Sequence, residues 1–408
     1  MFETPLIGYE HDVFKLNEVQ YACAKKRQVP LVREWYDHER KAILGYFIGA
    51  DWIVENKKAI VVLPKLDKSN AGTDYFRMLD VCINHPAVFD FCSDLYGVSF
   101  EGTGIEVAQE HDLITPLLII HFLRLVQLIV RKGLKKAFYG IEDNLHGRIK
   151  GKVLIEKTFR ENTTRNKPFR ICCAYNDFGI DCPENRLLKL ALLFIRRYET
   201  LNHRVESNAL LNYCLHAFTN VSCRVEPNEI KFTKKNVFYK EYIEALHLAR
   251  TILKRFGYNI QGIEKNKKTK IPPFWIDMSK LFELYVLSLL KDKYFNNIKY
   301  HFQAKESELD YIVNVPGQQM VIDAKYKPLY KDGFDTSDIR QLSGYARLRK
   351  VSEELNIPEA SSIDCLIIYP EPGCGRMDLK LGFEGMKSIN EYVRFFKLGV
   401  EIPMIAQK

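Results

Sequence analysis

The spacing of apolar residues divides the chain into a β-rich start, a helical stretch and a mixed carboxyl-terminal part. Up to about residue 68 the apolar residues favour strands, with a clear one over residues 59–63. From about residue 74 they recur every three or four positions, and this helical pattern is strongest over residues 116–132. Further helices are predicted over residues 183–198, 208–218 and 237–256.

The carboxyl-terminal part alternates helices and strands. Its pattern predicts an amphipathic helix, three strands, a second helix and a last strand, over residues 279–294, 299–303, 308–314, 320–325, 336–354 and 364–369. Pro316-Gly317 marks a turn between the second and third strands, so these two strands are expected to form a hairpin. This order of elements is typical of an α/β core with one mixed central sheet.

The whole chain is predicted to be an α+β multidomain protein. We divide it into a β-rich and helical region over residues 1–135, a mostly helical region over residues 136–265, and an α/β domain over residues 266–408. The polar, lysine-rich residues 261–273 end in two prolines and are predicted to be a linker or loop.

Charged side chains converge on the predicted hairpin. Asp323 and Lys325 are two residues apart, so their side chains leave the same face of the strand, and an antiparallel partner brings Asp310 to that face. Two carboxylates and an ammonium are costly to hold together unless something binds between them. Mg²⁺ is the ion expected to bind there, because it takes oxygen ligands and keeps several waters. Mn²⁺ takes similar ligands.

These residue types suit hydrolysis of a phosphodiester, in which a metal ion polarises the phosphate and activates water. Asp310 and Asp323 are the predicted metal ligands, with the backbone carbonyl of Ala324 as a further one. Lys325 is predicted to hold the attacking water or to stabilise charge on the phosphate. Glu283, on the helix before the hairpin, is predicted to ligate a second metal or to orient a water.

The helix after the hairpin adds polar side chains. Gln341 and Tyr345 are four residues apart and share a helix face, where they are predicted to contact the DNA backbone or to brace the site. The cations predicted to contact DNA are Lys267, Lys268, Lys327 and Arg340.

A simpler interpretation makes Asp323 and Lys325 an exposed cross-strand charge pair, worth about 0.2–1 kcal/mol. Three features favour the metal site instead. The residues before Asp323 are apolar, the partner strand brings further carboxylates, and the helix bearing Gln341 follows.

The composition excludes some classes of protein but does not identify the function. The chain has 408 residues, of which 47% are hydrophobic and 12% aromatic, so it is globular rather than disordered. Its net charge of +9 is compatible with nucleic acid. The ten cysteines are scattered without zinc-site spacing. No signal peptide or membrane span is predicted, and we expect a cytoplasmic protein with reduced thiols.

Several stretches together resemble a known family. Asp310, Asp323-Ala324-Lys325 and Gln341 with Tyr345 resemble the PD-(D/E)xK nuclease superfamily. More narrowly, residues 277–283 and 322–327 resemble McrC, the nuclease subunit of modification-dependent McrBC restriction systems, and residues 145–149 and 185–189 are similar to McrC proteins as well. Leu309 departs from the proline that often precedes the first aspartate of the superfamily.

The resemblance implies a division of labour. McrC-like proteins cleave DNA and join a hexameric AAA+ partner, McrB, which hydrolyses the nucleotide, GTP or ATP. Residues 1–135 would then bind and stimulate that motor, and residues 266–408 would form the Mg²⁺-dependent nuclease of an anti-phage restriction complex. Double-stranded DNA, modified or foreign, is the implied substrate, and paired complexes would cut both strands. The chain has no Walker-type phosphate loop, which agrees with this role.

Two other functions remain open at this stage. A stand-alone RecB-like exonuclease also carries a Gln-x-x-x-Tyr helix. A non-enzymatic adaptor that activates a motor would need no metal at Asp310 and Asp323.

Overall fold

A computed structural model of the chain describes residues 3–66, 72–92, 94–99, 103–108, 114–202, 208–224, 240–259, 268–304, 307–359, 361–372 and 385–404. The chain forms two compact units. The first combines Met1–Ile114 with Lys265–Lys408, and the second is Thr115–Glu264. The two ends of the chain therefore share one unit.

The strands and helices of the described residues are numbered in chain order. The strands are β1 (Leu6–Tyr9), β2 (Val13–Lys15), β3 (Val32–Tyr36), β4 (Lys41–Leu44), β5 (Phe47–Val54), β6 (Lys58–Leu63), β7 (Tyr96–Val98), β8 (Ile105–Ala108), β9 (Ala137–His146), β10 (Lys152–Val153), β11 (Arg170–Gly179), β12 (Lys268–Ile271), β13 (Phe274–Asp277), β14 (Ile298–Ala304), β15 (Ser307–Val315), β16 (Gln318–Ala324), β17 (Asp364–Pro372), β18 (Lys387–Ser388) and β19 (Phe395–Ile402). The α-helices are α1 (Glu18–Arg27), α2 (Tyr75–Asn84), α3 (Ile114–Lys132), α4 (Ile155–Glu161), α5 (Pro183–Asn202), α6 (Asn208–Ala217), α7 (Lys240–Asn259), α8 (Met278–Tyr294), α9 (Thr336–Tyr345) and α10 (Arg349–Leu355).

The amino-terminal sheet of the first unit contains a strand from the carboxyl-terminal part of the chain. Its order is β1-β6-β5-β13-β7, and β13 pairs antiparallel with both β5 and β7. Just before it, β12 pairs with β8. The prediction of a loop over residues 261–273 is therefore wrong for Lys268–Ile271, because a distant strand supplies the hydrogen-bond partners for that segment.

Two glycines let β13 fit between its neighbours. Trp275 pairs with Gly49 on one side and with Gly97 on the other. Gly49 has φ +140, and a Cβ there would lie 2.2 Å from the backbone oxygen of Phe274. A Cβ on Gly97 would lie 2.6 Å from the Trp275 indole ring, which also stacks on Phe47 at 4.8 Å. The two glycines therefore make room for the backbone of β13 and for its largest side chain.

Helix α8 follows β13 directly and is the central helix of this unit. The Asp277 carboxylate accepts a hydrogen bond from the Lys280 amide at 3.0 Å and so caps the helix. Its apolar residues are buried on all sides, because α2 packs on one side and strands β14 to β16 on another. The predicted helix is confirmed. Its amphipathic character is not, because both the amino-terminal and the carboxyl-terminal parts of the chain cover it.

The carboxyl-terminal sheet is mixed, as the sequence predicts. Its order is β14-β15-β16-β17-β19-β18, with antiparallel pairing from β14 to β16 and parallel pairing from β16 through β17 to β19. The predicted single helix over residues 336–354 is instead two helices, α9 and α10. The chain becomes extended at Leu348, whose side chain packs against the core of the sheet. Strand β19 was not predicted.

The second unit combines a small sheet with helices. The antiparallel sheet has the order β10-β11-β9, and α5 packs against α6 and α7. Helix α3 is largely apolar, with Phe122, Leu123 and Val126 fully buried. Even so, no helix in the described part of the chain is both long and apolar enough to cross a bilayer.

We predict that Gly49→Ala lowers the free energy of unfolding of the first unit by roughly 2–4 kcal/mol, since its Cβ would collide with the backbone of β13. Urea unfolding followed by tryptophan fluorescence measures this, because all three tryptophans lie in the first unit. Gly344→Ala is the control: it lies in α9, has open space around it, and is expected to be neutral or slightly stabilising. Equal stability of the two variants would contradict this account.

Candidate active site

The candidate site lies where the hairpin of β15 and β16 opens. The last ladder pair of the hairpin is Tyr311 with Ile322, so Asp310 and Asp323 are the next residues outward and face each other. The Ala324 amide donates a hydrogen bond to Asp310 Oδ2 at 2.8 Å. The structure thus brings the two predicted carboxylates together on one face.

Backbone geometry also directs the carbonyl of Ala324. The Lys325 amide donates to the Ile368 carbonyl at 2.8 Å, so the backbone groups of Lys325 point towards β17. Backbone groups alternate in direction along a strand, and the Ala324 amide accordingly points the other way, to Asp310. Because the amide and carbonyl of one strand residue share a direction, the Ala324 carbonyl is expected on the Asp310 side as well.

Lys325 connects the carboxylates to the next helix. Its Nζ lies 2.9 Å from Asp323 Oδ2 and donates to Gln341 Oε1 at 3.3 Å. Gln341 Nε2 in turn donates to the Tyr345 hydroxyl at 2.8 Å. The side chains predicted from sequence therefore form one continuous chain of polar contacts, running from Asp323 to Tyr345.

Burial and the repulsion between like charges shift the pKa values of the groups in this site. Asp323 is 3% exposed. Burial raises the pKa of the Asp310 carboxyl well above its usual range, and the charges of Asp323 and Glu283 raise it further. Burial alone would lower the pKa of Lys325, but the charges of Asp323 and Asp310 outweigh it and raise that pKa. The lysine therefore stays charged at neutral pH and offsets part of the repulsion between the aspartates.

Glu283 lies beside this group on α8. Its Oε1 is 2.8 Å from His301 Nε2, and its backbone carbonyl accepts a hydrogen bond from the Tyr311 hydroxyl at 2.6 Å. The other nitrogen of His301, Nδ1, lies 3.2 Å from Glu308. The hydrogen bond to Glu283 raises the pKa of His301 above its usual value. Two carboxylates thus hold this histidine.

His301 is not among the residues predicted from the sequence. His301 has φ +50. Its neighbours pair regularly with the next strand, Tyr300 with Tyr311 and Phe302 with Leu309. The strand pairing is interrupted between these pairs, at His301 and Asp310. The predicted strand over residues 299–303 contained His301, and antiparallel pairing with the hairpin was the available signal.

The cations predicted to contact DNA lie in different settings. Lys327 Nζ is 2.9 Å from Asp335 and 2.8 Å from Asp338, two further residues that sequence analysis missed. Arg340 is exposed on α9. Lys267 lies outside the described residues, and for Lys268 the backbone alone is described.

The donor set fits a small hard cation. Among the described residues, no group of three or more His, Cys, Asp or Glu side chains is placed to hold a metal ion. Mg²⁺ does not require such a group, because it is often bound through one or two carboxylates and several waters. Asp323 Oδ2 is buried and contacts Lys325 without hydrogen-bond geometry, so this oxygen has unused acceptor capacity.

Comparison with known proteins gives one family. The model of the family described as "McrBC 5-methylcytosine restriction system component" matches residues 48–370, more than half of the chain. No curated protein matches.

Solved structures give distant similarities. The chain is similar to one in a refined half-complex from a tetradecameric assembly of Thermococcus gammatolerans McrB AAA+ hexamers with bound McrC, at 15% identity and a TM-score of 0.42, covering 98% of this chain and 94% of that one. It is also similar to a chain in the cryo-EM structure of the Thermococcus gammatolerans McrBC complex, at 15% identity and a TM-score of 0.28, covering 70% and 87%.

We predict that Asp310→Asn stabilises the metal-free protein at neutral pH. A carboxyl whose pKa is raised by folding reduces stability as the pH rises from about 4 through the raised value, and the amide removes that cost. The free energy of unfolding in the presence of EDTA should rise by on the order of 1 kcal/mol at pH 7, with little change at pH 4.

The control for this measurement is Asp332→Asn, which removes an exposed carboxylate. An Asp310→Asn variant that is less stable than wild type at pH 7, with Asp332→Asn unchanged, would show that the carboxylate does not carry this cost.

Proposed function

Because the chain belongs to the McrBC 5-methylcytosine restriction system component family, we propose that it is the Mg²⁺-dependent DNA endonuclease subunit of a McrBC-like restriction complex. The observation that carries this proposal is the contact chain of Asp323, Lys325 and Gln341, with Asp310 alongside. These residues correspond to the PD-(D/E)xK pattern, which we propose for the fold of the carboxyl-terminal sheet.

We propose that Asp310, Asp323 and the Ala324 carbonyl hold Mg²⁺ or Mn²⁺. Such an ion, when bound, polarises a phosphate oxygen and lowers the pKa of a bound water. The two aspartates supply its negative ligands. The ion would relieve the repulsion that, after burial, raises the pKa of Asp310 further.

The protein's own side chains perform the remaining tasks. The Lys325 ammonium, kept charged by the aspartates, donates to the attacking water or to the phosphate as negative charge develops there. Gln341 accepts from Lys325 and fixes its direction, and Tyr345 fixes Gln341. Glu283 is proposed to orient a water or to ligate a second metal, with its carboxylate held by His301.

We propose that the partner is a McrB-like AAA+ hexamer that uses GTP or ATP. The structural relatives include McrC bound to McrB hexamers, and this chain has no Walker motif of its own. Residues 1–135 are proposed to bind and stimulate the motor, and residues 266–408 to cut double-stranded DNA that is modified or foreign. Cutting both strands requires two nuclease sites, hence two complexes.

We predict that Asp323→Asn and Lys325→Met each slow DNA cleavage by at least ~100-fold, since one removes a metal ligand and the other a charged donor. Stimulation of the partner's nucleotide hydrolysis should stay within about twofold of wild type, because this function is assigned to another region. Cleavage assays with Mg²⁺ and the partner NTPase measure both.

Matched controls lie six residues after Lys325 and nine residues after Asp323, where Lys331→Met and Asp332→Asn change exposed residues of the same types. Calorimetry with Mn²⁺ adds an independent readout, in which binding should be lost in Asp323→Asn. Cleavage at the wild-type rate by either active-site variant rejects the catalytic assignment. Absence of Mn²⁺ binding to the wild-type protein, together with full motor stimulation, favours the adaptor function.

The helix with Gln341 and Tyr345 also supports a second candidate, a stand-alone RecB-like exonuclease. We predict that closed circular DNA carrying modified bases is cut when the partner NTPase and its nucleotide are present. An exonuclease would degrade linear DNA from its ends and leave the circles intact. Gel analysis of both substrates, with and without the partner, distinguishes the two functions.

A further inference from the structure

The chain turns sharply just after the proposed catalytic lysine. Strand β16 ends at Ala324, and the Lys327 amide donates to the Lys325 carbonyl at 2.6 Å, which closes a three-residue turn around Tyr326. The Tyr326 side chain is 2% exposed and lies beside Phe282 of α8. The direction in which Lys325 leaves the strand therefore depends on this turn.

A residue of the amino-terminal sheet holds the turn in place. Lys65 follows β6, and its Nζ donates to the Tyr326 carbonyl at 2.6 Å. The same ammonium lies 4.1 Å from the centre of the Tyr326 ring and 5.0 Å from that of Tyr46. A charged donor on a part-buried carbonyl makes a stronger bond than a neutral one does.

Lys65 is itself held firmly. Its amide donates to Glu10 Oε2 at 2.9 Å, and the Glu10 amide donates to the Leu63 carbonyl at 3.1 Å. Glu10 is 1% exposed. Burial and, to a lesser extent, the charge of Lys327 lower the pKa of Lys65 to about 8, while the charge of Glu10 opposes this shift, so the ammonium form still prevails at neutral pH. The lysine thus extends from a fixed point of the amino-terminal sheet to the end of β16.

We propose that Lys65 is a positioning residue for the nuclease site, through which the amino-terminal sheet fixes the turn that presents Lys325. This inference rests on the proposed function, since it assigns to Lys65 an effect on the same catalytic lysine. It also gives residues 1–135, the proposed motor-binding region, a direct contact with the turn that follows β16.

The test compares Lys65→Met with Lys58→Met. Methionine retains most of the length of the side chain but cannot donate to a carbonyl. Lys58 begins the same strand β6 and also donates to a backbone carbonyl, that of Thr4 at 2.9 Å, so it is a matched control. We expect Lys65→Met to slow single-turnover cleavage at saturating DNA at least tenfold, with DNA affinity within about twofold of wild type.

A second readout does not depend on cleavage. Hydrogen exchange of the Lys325 and Lys327 amides in the free protein should be at least tenfold faster in Lys65→Met and unchanged in Lys58→Met. Lys65→Arg keeps a charged donor and should recover part of both the cleavage rate and the amide protection.

Each result has a defined meaning. Wild-type exchange at both amides in Lys65→Met overturns the proposal. Faster exchange throughout the carboxyl-terminal sheet also overturns it, because that pattern shows a general structural role. If the wild-type complex does not cleave DNA at all, the proposed function fails, while the exchange measurements still decide whether Lys65 fixes the turn.

Discussion

Two carboxylates held side by side, one buried and one half-buried, are the constraint around which the carboxyl-terminal sheet is arranged. Asp310 and Asp323 face each other where the hairpin opens, and the burial that brings them together raises the pKa of Asp310. The protein opposes their repulsion with one backbone amide, that of Ala324, and one ammonium, that of Lys325. This compensation is partial. A site of this kind lowers the stability of the unliganded fold, and a bound ligand would restore it.

The scaffold around the aspartates is built from both ends of the chain. Strand β13 lies inside the amino-terminal sheet, and α8 starts at its next residue and packs under the strands that carry the aspartates. Glu283, which lies on α8, is therefore connected to the amino-terminal sheet by continuous secondary structure. A separate nuclease domain on a flexible linker would lack this connection.

Local signals made the hairpin predictable. The β-forming residues and Pro316-Gly317 determine it over a few positions, and the two-residue spacing of Asp323 and Lys325 follows from strand geometry alone. In the structure Gln341 contacts both Lys325 and Tyr345, and its role, contact with the DNA backbone or bracing of the site, stays a prediction. The family resemblance read from these motifs is confirmed by the match over residues 48–370.

What could not be predicted depends on contacts between residues far apart in the chain. Strand β13 is four residues long and takes both of its neighbours from the amino-terminal part. The break between α9 and α10 follows from the packing of Leu348 on the sheet. Helix propensity does not predict this break. His301 and Lys65 reach the site through Glu283 and Tyr326, and neither contact has a counterpart in local sequence.

The two lysines after Asp323 show how one short segment positions two elements. Lys325 faces Asp323 and Gln341, while Lys327 lies between Asp335 and Asp338. Asp335 caps α9, the helix that carries Gln341, so the ion pair of Lys327 connects the end of the catalytic strand to the start of that helix. The distance between Lys325 and Gln341 is therefore set from both sides of the turn. Because two carboxylates hold its ammonium, Lys327 has a structural role that does not depend on contact with DNA.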